Sequence, residues 1–105
     1  MKQTNDQQRI AGYLGIAQRA GKIAAGDNMV KEALKKQQVK LLVLADDASD
    51  EIKTALGGLA KEQHISVISW PSKDDLGLIV GKSRRGALGV LDQGFAEAIK
   101  KVKLL

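Results

Sequence analysis

Residues 20–36 read AGKIAAGDNMVKEALKK, and this stretch sets the pattern on which the rest of the chain is organised. Residues 22–25 form a short run typical of a β-strand, and Gly26 then turns the chain directly into an amphipathic helix. A helix that begins at a glycine leaves its first backbone N–H groups free and places the positive end of the helix dipole beside Asp27 and Asn28. Such an end is a ready binding site for an anion or an RNA backbone. A tight strand-to-helix connection without any ligand has the same sequence, so the rest of the chain must decide between the two.

The composition is that of a globular protein with an aliphatic core. The chain has 105 residues, of which 44% are hydrophobic and 28% charged, with one Phe, one Tyr and one Trp. A chain of this size usually forms one domain, so we expect a single domain over residues 1–105. No hydrophobic run reaches the ~18 residues that span a membrane, and the first residues, MKQTNDQQ, lack the apolar segment of a signal peptide. Because cysteine is also absent, we expect a cytoplasmic protein that does not associate with a membrane, and we expect it to be a monomer.

The charge is distributed unevenly along the chain. The net charge is +5 and the pI is near 9.6, which suits a polyanionic partner. Residues 1–45 contain eight Lys or Arg and three Asp or Glu, residues 46–75 contain three and seven, and residues 76–105 contain six and two. If the two basic thirds meet in the fold, one side of the domain is a positive surface. Lysines scattered over a solvated surface would give the same composition, so charge alone leaves both interpretations open.

Helical and strand-like segments alternate along the whole chain. Hydrophobic spacing predicts five helices, which begin at caps or turns near Thr4, Gly26, Ser49, Ser72 and Asp92. Alternating or continuous apolar runs predict four strands, over residues 22–25, 39–45, 64–69 and 87–91. The second strand, VKLLVLA, is almost entirely aliphatic, as is typical of a central strand that is covered on both faces. This order predicts an α/β fold, a three-layer α/β/α sandwich with a mixed four-stranded sheet.

Residues that could support catalysis are sparse. The single histidine, His64, stands at a helix-to-strand connection, and there is no second histidine or cysteine with which it could form a nucleophilic or zinc site. Asp46 and Asp47 follow the central strand, a place where α/β proteins often hold Mg²⁺ or phosphate. Loop aspartates that lead into a helix are the simpler explanation, and a small Mg²⁺-dependent enzyme is the alternative. The sequence therefore predicts no catalytic residue, no cofactor and no metal site.

Two segments carry the residue types that bind nucleic acid. Gly26 and Asn28 combine a free helix N-terminus with an amide side chain that can read a base edge. Residues 82–86, KSRRG, form a basic loop that offers guanidinium groups and a close backbone approach. Because exposed aromatic side chains for stacking on single strands are missing, these residues favour structured RNA that is recognised by its shape.

Three segments also carry a family resemblance: AGKIAAGDNMVKEALKK (residues 20–36), VKLLVLADDAS (residues 39–49) and LGLIVGKSRRGALGVLDQGFA (residues 76–96). Together they resemble the ribosomal L-seven-Ae family, the kink-turn RNA-binding superfamily, and within it the short bacterial members. The resemblance extends from about Ala17 to Ile99 and has the element order of the predicted sandwich. It implies a non-enzymatic, ribosome-related protein that recognises a kink-turn or a similar bent internal loop with sheared G·A pairs, and ribosomal RNA is one such partner.

The resemblance also implies which residues contact the RNA. Residues 26–32 would enter the widened major groove and read the sheared G·A pairs, and the loop at residues 82–87 would cover a flipped-out nucleotide. Gly26 would allow a close backbone approach, Asn28 would contact a guanine edge, and Lys36 would meet phosphate. The implied RNA-binding residues are Lys22, Gly26, Asp27, Asn28, Met29, Glu32, Lys36, Arg84, Arg85 and Gly86.

Two positions depart from the family pattern. Met29 stands where the family usually has a glutamate that accepts from guanine, and Glu32 stands where it usually has a base-reading lysine. Met29 is a weak acceptor, and Glu32 adds a negative charge that would face the RNA. We therefore expect RNA binding with reduced or altered kink-turn selectivity. The alternative is a protein-interaction module that has lost specific RNA readout, with Met29 and Val80 forming an exposed apolar patch.

Overall fold

Five helices and four strands alternate along residues 5–104, the part of the chain that this computed structural model describes. They are α1 (Asn5–Arg19), β1 (Ile23–Ala25), α2 (Asp27–Lys35), β2 (Leu41–Ala45), α3 (Asp50–Glu62), β3 (Val67–Trp70), α4 (Lys73–Ile79), β4 (Ala87–Val90) and α5 (Gln93–Leu104). The alternation predicted from the sequence is confirmed. The predicted cap at Thr4 lies outside the described residues.

The four strands form one mixed sheet in the order β1-β4-β2-β3. β4 is antiparallel to both β1 and β2, whereas β2 and β3 run parallel. Val43, in the middle of the sheet, lies opposite Leu88 on one side and Ile68 on the other. The ends of β1, β2 and β3 and the start of β4 therefore meet at one edge of the sheet. We call this edge, with the turns at residues 26–29, 46–49, 71–73 and 82–86, the upper edge.

Helices cover both faces of the sheet. All five residues of β2 are buried, and successive side chains point to opposite faces. Leu41, Val43 and Ala45 pack in a core with α1, α4 and α5, while Leu42 and Leu44 pack in a second core with α2 and α3. The continuous aliphatic run is explained by this double burial, and the predicted three-layer α/β/α sandwich is confirmed.

β3 begins three residues later than the sequence pattern predicts. His64 adopts a left-handed backbone conformation with φ of 58°, and the N–H of Ile65 donates to the C=O of Ala60 at 2.9 Å. These are the features of a turn that ends a helix, so both residues belong to the turn that follows α3. Apolar alternation alone does not distinguish such a turn from the first residues of a strand.

Three helices begin at the side-chain caps that the sequence predicts. Ser49 Oγ accepts from the N–H of Ile52 at 3.2 Å, Ser72 Oγ from the N–H of Asp75 at 3.1 Å, and Asp92 Oδ2 from the N–H of Phe95 at 2.9 Å. Each bond satisfies one of the backbone donors that a helix start leaves unpaired. Within residues 5–104, no helix combines the length and hydrophobicity needed to cross a bilayer.

The double burial of β2 predicts a large cost for truncating one of its side chains. Leu42 is 0% exposed, so we expect Leu42→Ala to lower the free energy of unfolding by about 2–5 kcal/mol, as lost contacts and a cavity do in other cores. Urea denaturation followed by circular dichroism measures the change. Leu78→Ala is the matched control because Leu78 is 77% exposed, and it should stay within about 0.5 kcal/mol of the wild type. Equal losses in the two variants would contradict this packing.

Candidate nucleic-acid interface

The start of α2 lies at the upper edge, where β1 leads into it through one glycine. Gly26 has φ of 102° and ψ of 158°, a conformation that residues with a side chain rarely adopt. Its N–H donates to the C=O of Ala87, and its C=O accepts from the N–H of Val30, both at 2.9 Å. No side chain caps this helix start. The first N–H groups of α2 are therefore not covered by a capping residue.

The basic loop, residues 82–86, is attached to the same edge by its backbone. The N–H of Arg85 donates to the C=O of Lys73, the first residue of α4, at 3.1 Å. The C=O of Gly86 accepts from the N–H of Ala45, at the end of β2, at 2.9 Å. These two bonds hold the end of the loop between α4 and the central strand.

The α2 start and Arg85 of the basic loop border one open cavity of about 360 Å³. A Cβ on Gly26 would lie 3.4 Å from Cδ and 3.5 Å from Nε of Arg85, so the arginine side chain packs directly beside the glycine. The cavity is lined by Ala25, Gly26, Asp27, Asn28, Met29 and Arg85. The structure therefore brings together five of the residues that the family resemblance implies, from segments far apart in the sequence. We call it the interface cavity.

The two arginines of the loop are held differently. Arg85 is half-buried, and its Nη1 donates to the C=O and the hydroxyl of Ser83, at 3.1 and 2.8 Å, and to the C=O of Arg84 at 3.0 Å. The side chain of Arg84 is 62% exposed, and its Nε lies 2.8 Å from Oδ1 of Asp74. An exposed ion pair of this kind contributes only about 0–1 kcal/mol. Arg84 can therefore exchange its carboxylate partner for a phosphate at little cost, whereas Arg85 is oriented by its own loop.

Gly86 is buried and contacts the side chain of Asp27. A Cβ on Gly86 would lie 2.9 Å from Oδ1 of Asp27 and 3.5 Å from Cβ of Ala48. Oδ1 of Asp27 is itself buried and has no hydrogen-bond partner among the described residues. The glycine therefore lets the basic loop approach the start of α2, a contact that lies within the protein.

The remaining implied residues lie outside the interface cavity. Lys22 precedes β1 at the far end of that strand, where its C=O accepts from the N–H of Leu91 at 2.9 Å. Glu32 is exposed further along α2, and Lys36 is exposed at its C-cap, directly after the last helical residue. Residues four apart lie on the same face of a helix, so these two continue the stripe that begins at Asn28. A ligand that runs along α2 would meet this stripe but would not reach Lys22.

The apolar patch predicted from Met29 and Val80 is wrong. Met29 is 61% exposed, but Val80 is 5% exposed and packs in the core with α1 and α5. Val80 ends α4, where the chain turns, and its side chain points inward. The apolar patch on which the alternative of a protein-interaction module was based is therefore absent at these two residues.

Asp46 and Asp47 form hydrogen bonds that join neighbouring elements of the fold. Oδ1 of Asp47 accepts from the N–H of Lys73 at 2.8 Å, which fastens the start of α4 to the turn after β2. The C=O of Asp46 accepts from Nζ of Lys53 at 2.9 Å, and its N–H donates to the C=O of Trp70 at 2.7 Å. Across residues 5–104, no group of three or more His, Cys, Asp or Glu side chains is placed to hold a metal ion.

Sequence reasoning missed the role of Gly77, in α4. A Cβ on Gly77 would collide with the carbonyl group of Ser83 and would lie 3.0 Å from the carbonyl oxygen of Lys82. Gly81, with φ of 69°, then turns the chain from the end of α4 into the loop. The sequence signal for this role is the motif L-G-x-x-x-G at residues 76–81. Its first glycine, Gly77, contacts the loop backbone, and its second, Gly81, turns the chain into the loop.

Comparison with known proteins identifies the family. Residues 8–100 match the model of the ribosomal protein L7Ae/L30e/S12e/Gadd45 family. The chain therefore belongs to this family, which is the L-seven-Ae family that its motifs resemble.

Individual relatives agree with this assignment. The RNA-binding protein YlxQ of Bacillus subtilis is 30% identical over 86 residues, which are 82% of this chain and 86% of that protein. The large ribosomal subunit protein eL8 of Cenarchaeum symbiosum is 34% identical over 91 residues, which are 86% of this chain and 72% of that protein.

Two solved structures have the same fold. A protein with unknown function from Bacillus halodurans C superposes with a TM-score of 0.83 at 30% identity, covering 89% of this chain and 94% of that one. The Giardia lamblia 15.5kD RNA binding protein superposes with a TM-score of 0.79 at 18% identity, covering 99% and 92%. At 18% identity the second likeness concerns the fold alone.

The positive φ of Gly26 predicts that any side chain at this position lowers the stability of the fold. We expect Gly26→Ala to lower the free energy of unfolding by about 1–3 kcal/mol, because alanine would have to hold a sparsely populated backbone conformation. Chemical denaturation measures the change. Gly58→Ala is the control, since a Cβ there meets nothing within 4 Å and alanine favours a helix interior by up to ~1 kcal/mol. A Gly26→Ala protein as stable as the wild type would contradict this account of the turn.

Proposed function

We propose that this protein is a non-enzymatic, ribosome-related RNA-binding protein of the cytoplasm. Its proposed target is a kink-turn, or a similar bent internal loop with sheared G·A pairs. The observation that carries the proposal is the interface cavity, because it joins an uncapped helix start to an oriented arginine. Family membership supports RNA as the ligand, since YlxQ of Bacillus subtilis is named as an RNA-binding protein and eL8 of Cenarchaeum symbiosum as a ribosomal protein.

The start of α2 supplies the groups that would read the bent RNA. Because Gly26 has no side chain, Arg85 can pack beside the helix start, and the positive end of the helix dipole there attracts phosphate. The exposed amide of Asn28 both donates and accepts hydrogen bonds, so it can pair with a guanine edge. Lys36, on the same stripe of α2, would meet a phosphate further along the RNA.

The basic loop would contribute the second contact. Arg85 borders the interface cavity with an orientation that its own loop fixes, so little side-chain entropy would be lost when RNA binds. Arg84 would leave Asp74 for a phosphate oxygen, and such charge-assisted bonds are among the stronger hydrogen bonds in proteins. Gly86, which is buried, would act by keeping the loop close to Asp27.

The exposed face of α2 also explains why base selectivity would be reduced. Met29 and Glu32 are both exposed on the part of the helix that would face the RNA. The thioether of Met29 cannot accept a strong hydrogen bond from guanine, and the carboxylate of Glu32 repels phosphate. Lys31 is displaced by about a quarter-turn from Glu32 and does not replace the missing lysine.

Binding to a kink-turn RNA tests the proposal directly. In a gel-shift titration we expect tighter binding to a kink-turn than to the same RNA with its G·A pairs replaced by Watson–Crick pairs. Asn28→Ala should reduce this preference, because each lost base contact costs about 1–3 kcal/mol in comparable DNA readout. The affinity should also fall steeply between low and moderate salt, since phosphate contacts release counterions. Equal affinity for the two RNAs, or binding to neither, would overturn the proposed selectivity.

Restoring the family residues on α2 should strengthen binding. For the double variant Met29→Glu, Glu32→Lys we expect about tenfold or greater gain in kink-turn affinity, from one base acceptor and one base-reading cation. Glu62→Gln is the matched control: Glu62 is exposed at the end of α3, away from the upper edge, and its replacement raises the net charge by the same amount as the double variant. Similar gains in both proteins would mean that the effect is charge alone.

A further inference from the structure

The basic loop rests on α4 through a contact that only glycine permits. Gly77 is buried in α4, and a Cβ there would lie 2.7 Å from the carbonyl carbon of Ser83 and 3.0 Å from the carbonyl oxygen of Lys82. Both atoms belong to the backbone, so a side chain at this position could not be accommodated by rotating a flexible neighbour. The short distance between the loop backbone and α4 is therefore possible only because Gly77 has no side chain.

The carbonyl that rests on Gly77 is also one of the three acceptors that orient Arg85. Ser83 C=O accepts from Nη1 of Arg85 at 3.1 Å, and the Ser83 hydroxyl accepts from the same group at 2.8 Å. The Cδ and Nε atoms of the same Arg85 side chain pack beside Gly26 in the wall of the interface cavity. A continuous chain of contacts thus runs from α4 through Ser83 and Arg85 to the start of α2.

The far end of the loop is fixed independently of this contact. Arg85 N–H is bonded to Lys73 C=O, and Gly86 C=O is bonded to Ala45 N–H. If the Ser83 carbonyl were lifted from α4, the backbone of Arg85 would be held by these bonds while the acceptors of its guanidinium moved. The orientation of the arginine side chain would change more than the position of its Cα.

We propose that Gly77 is a positioning residue for the interface cavity: by seating the Ser83 carbonyl on α4, it orients the Arg85 guanidinium beside Gly26. The consequence for RNA rests on the proposed function. The effect on Arg85 does not, because it concerns contacts within the protein.

The first test needs no RNA and uses Gly77→Ala in the full chain. Alanine favours a helix interior, so the substitution should leave α4 formed while it displaces the loop. We expect the Nε–H of Arg85 to show a high heteronuclear ¹⁵N–¹H NOE in the wild type and a much lower one in the variant. Gly58→Ala, where a Cβ meets nothing within 4 Å, should leave that signal unchanged. An Arg85 Nε–H as rigid in Gly77→Ala as in the wild type would overturn the proposal.

The second test asks whether Gly77 affects RNA through Arg85. With the kink-turn RNA, Gly77→Ala should weaken binding about tenfold, close to the effect of losing one hydrogen bond to a charged group. In an Arg85→Ala background the same substitution should change affinity by less than about twofold, because the effects of substitutions at residues that act together are not additive. Equal losses in the two backgrounds would overturn the positioning role. If the wild type binds no kink-turn RNA, the proposed function fails, while the NMR comparison still decides the role of Gly77.

A second variant covers the case in which Gly77→Ala does not fold. Ser83→Ala removes the hydroxyl that accepts from Arg85 at 2.8 Å and leaves the packing on α4 intact. It should lower the Arg85 Nε–H NOE in the same direction and weaken RNA binding only when Arg85 is present. A Ser83→Ala protein with unchanged Arg85 dynamics and affinity would contradict the contact chain.

Discussion

The antiparallel insertion of β4 between β1 and β2 is the constraint on which the rest of the upper edge depends. The C=O of Ala87, the first residue of β4, accepts from the N–H of Gly26 just after β1. The C=O of Gly86, just before β4, accepts from the N–H of Ala45 at the end of β2. Because β4 runs opposite to β1, the loop that precedes it lies beside the helix start that follows β1. A parallel β4 would place the basic loop at the other edge of the sheet, and the two segments would not meet.

Three glycines convert this arrangement of strands into close contact. Gly26 turns β1 into α2, Gly77 seats the loop on α4, and Gly86 lets the loop approach Asp27. The shape of the interface cavity is thus fixed largely by backbone packing. Two carboxylates also lie at this edge: Asp47 accepts from the N–H of Lys73 at the start of α4, and Asp74 pairs with Arg84. Both acidic side chains therefore serve contacts within the protein at this edge.

The sequence predicts those features that depend on local spacing. Continuous apolar residues in β2 indicate burial on both faces, and Ser72 marks its helix start because a cap bonds a backbone group three residues away. The missed features depend on contacts between distant segments. No local sequence pattern indicates that the Ser83 carbonyl rests on Gly77, or that the side chain of Val80 points inward after α4 has ended. Likewise, the family motifs imply residues 26–29 and Arg85 as one site, but only the sheet order explains why they meet.

The framework of the site and the exposed side chains of α2 are physically separable in this chain. Gly26, Gly77 and Gly86 act through the backbone, and their effect on where a ligand can approach does not depend on the exposed face of α2. Met29 and Glu32 lie on that face, outside the packing that holds the loop, and neither is buried. Contacts to phosphate and sugar position a protein on nucleic acid without reading sequence, whereas contacts to base edges carry the specificity. In the proposed complex with RNA, the retained framework would therefore keep the contacts to the backbone, while Met29 and Glu32 would weaken discrimination among the bases.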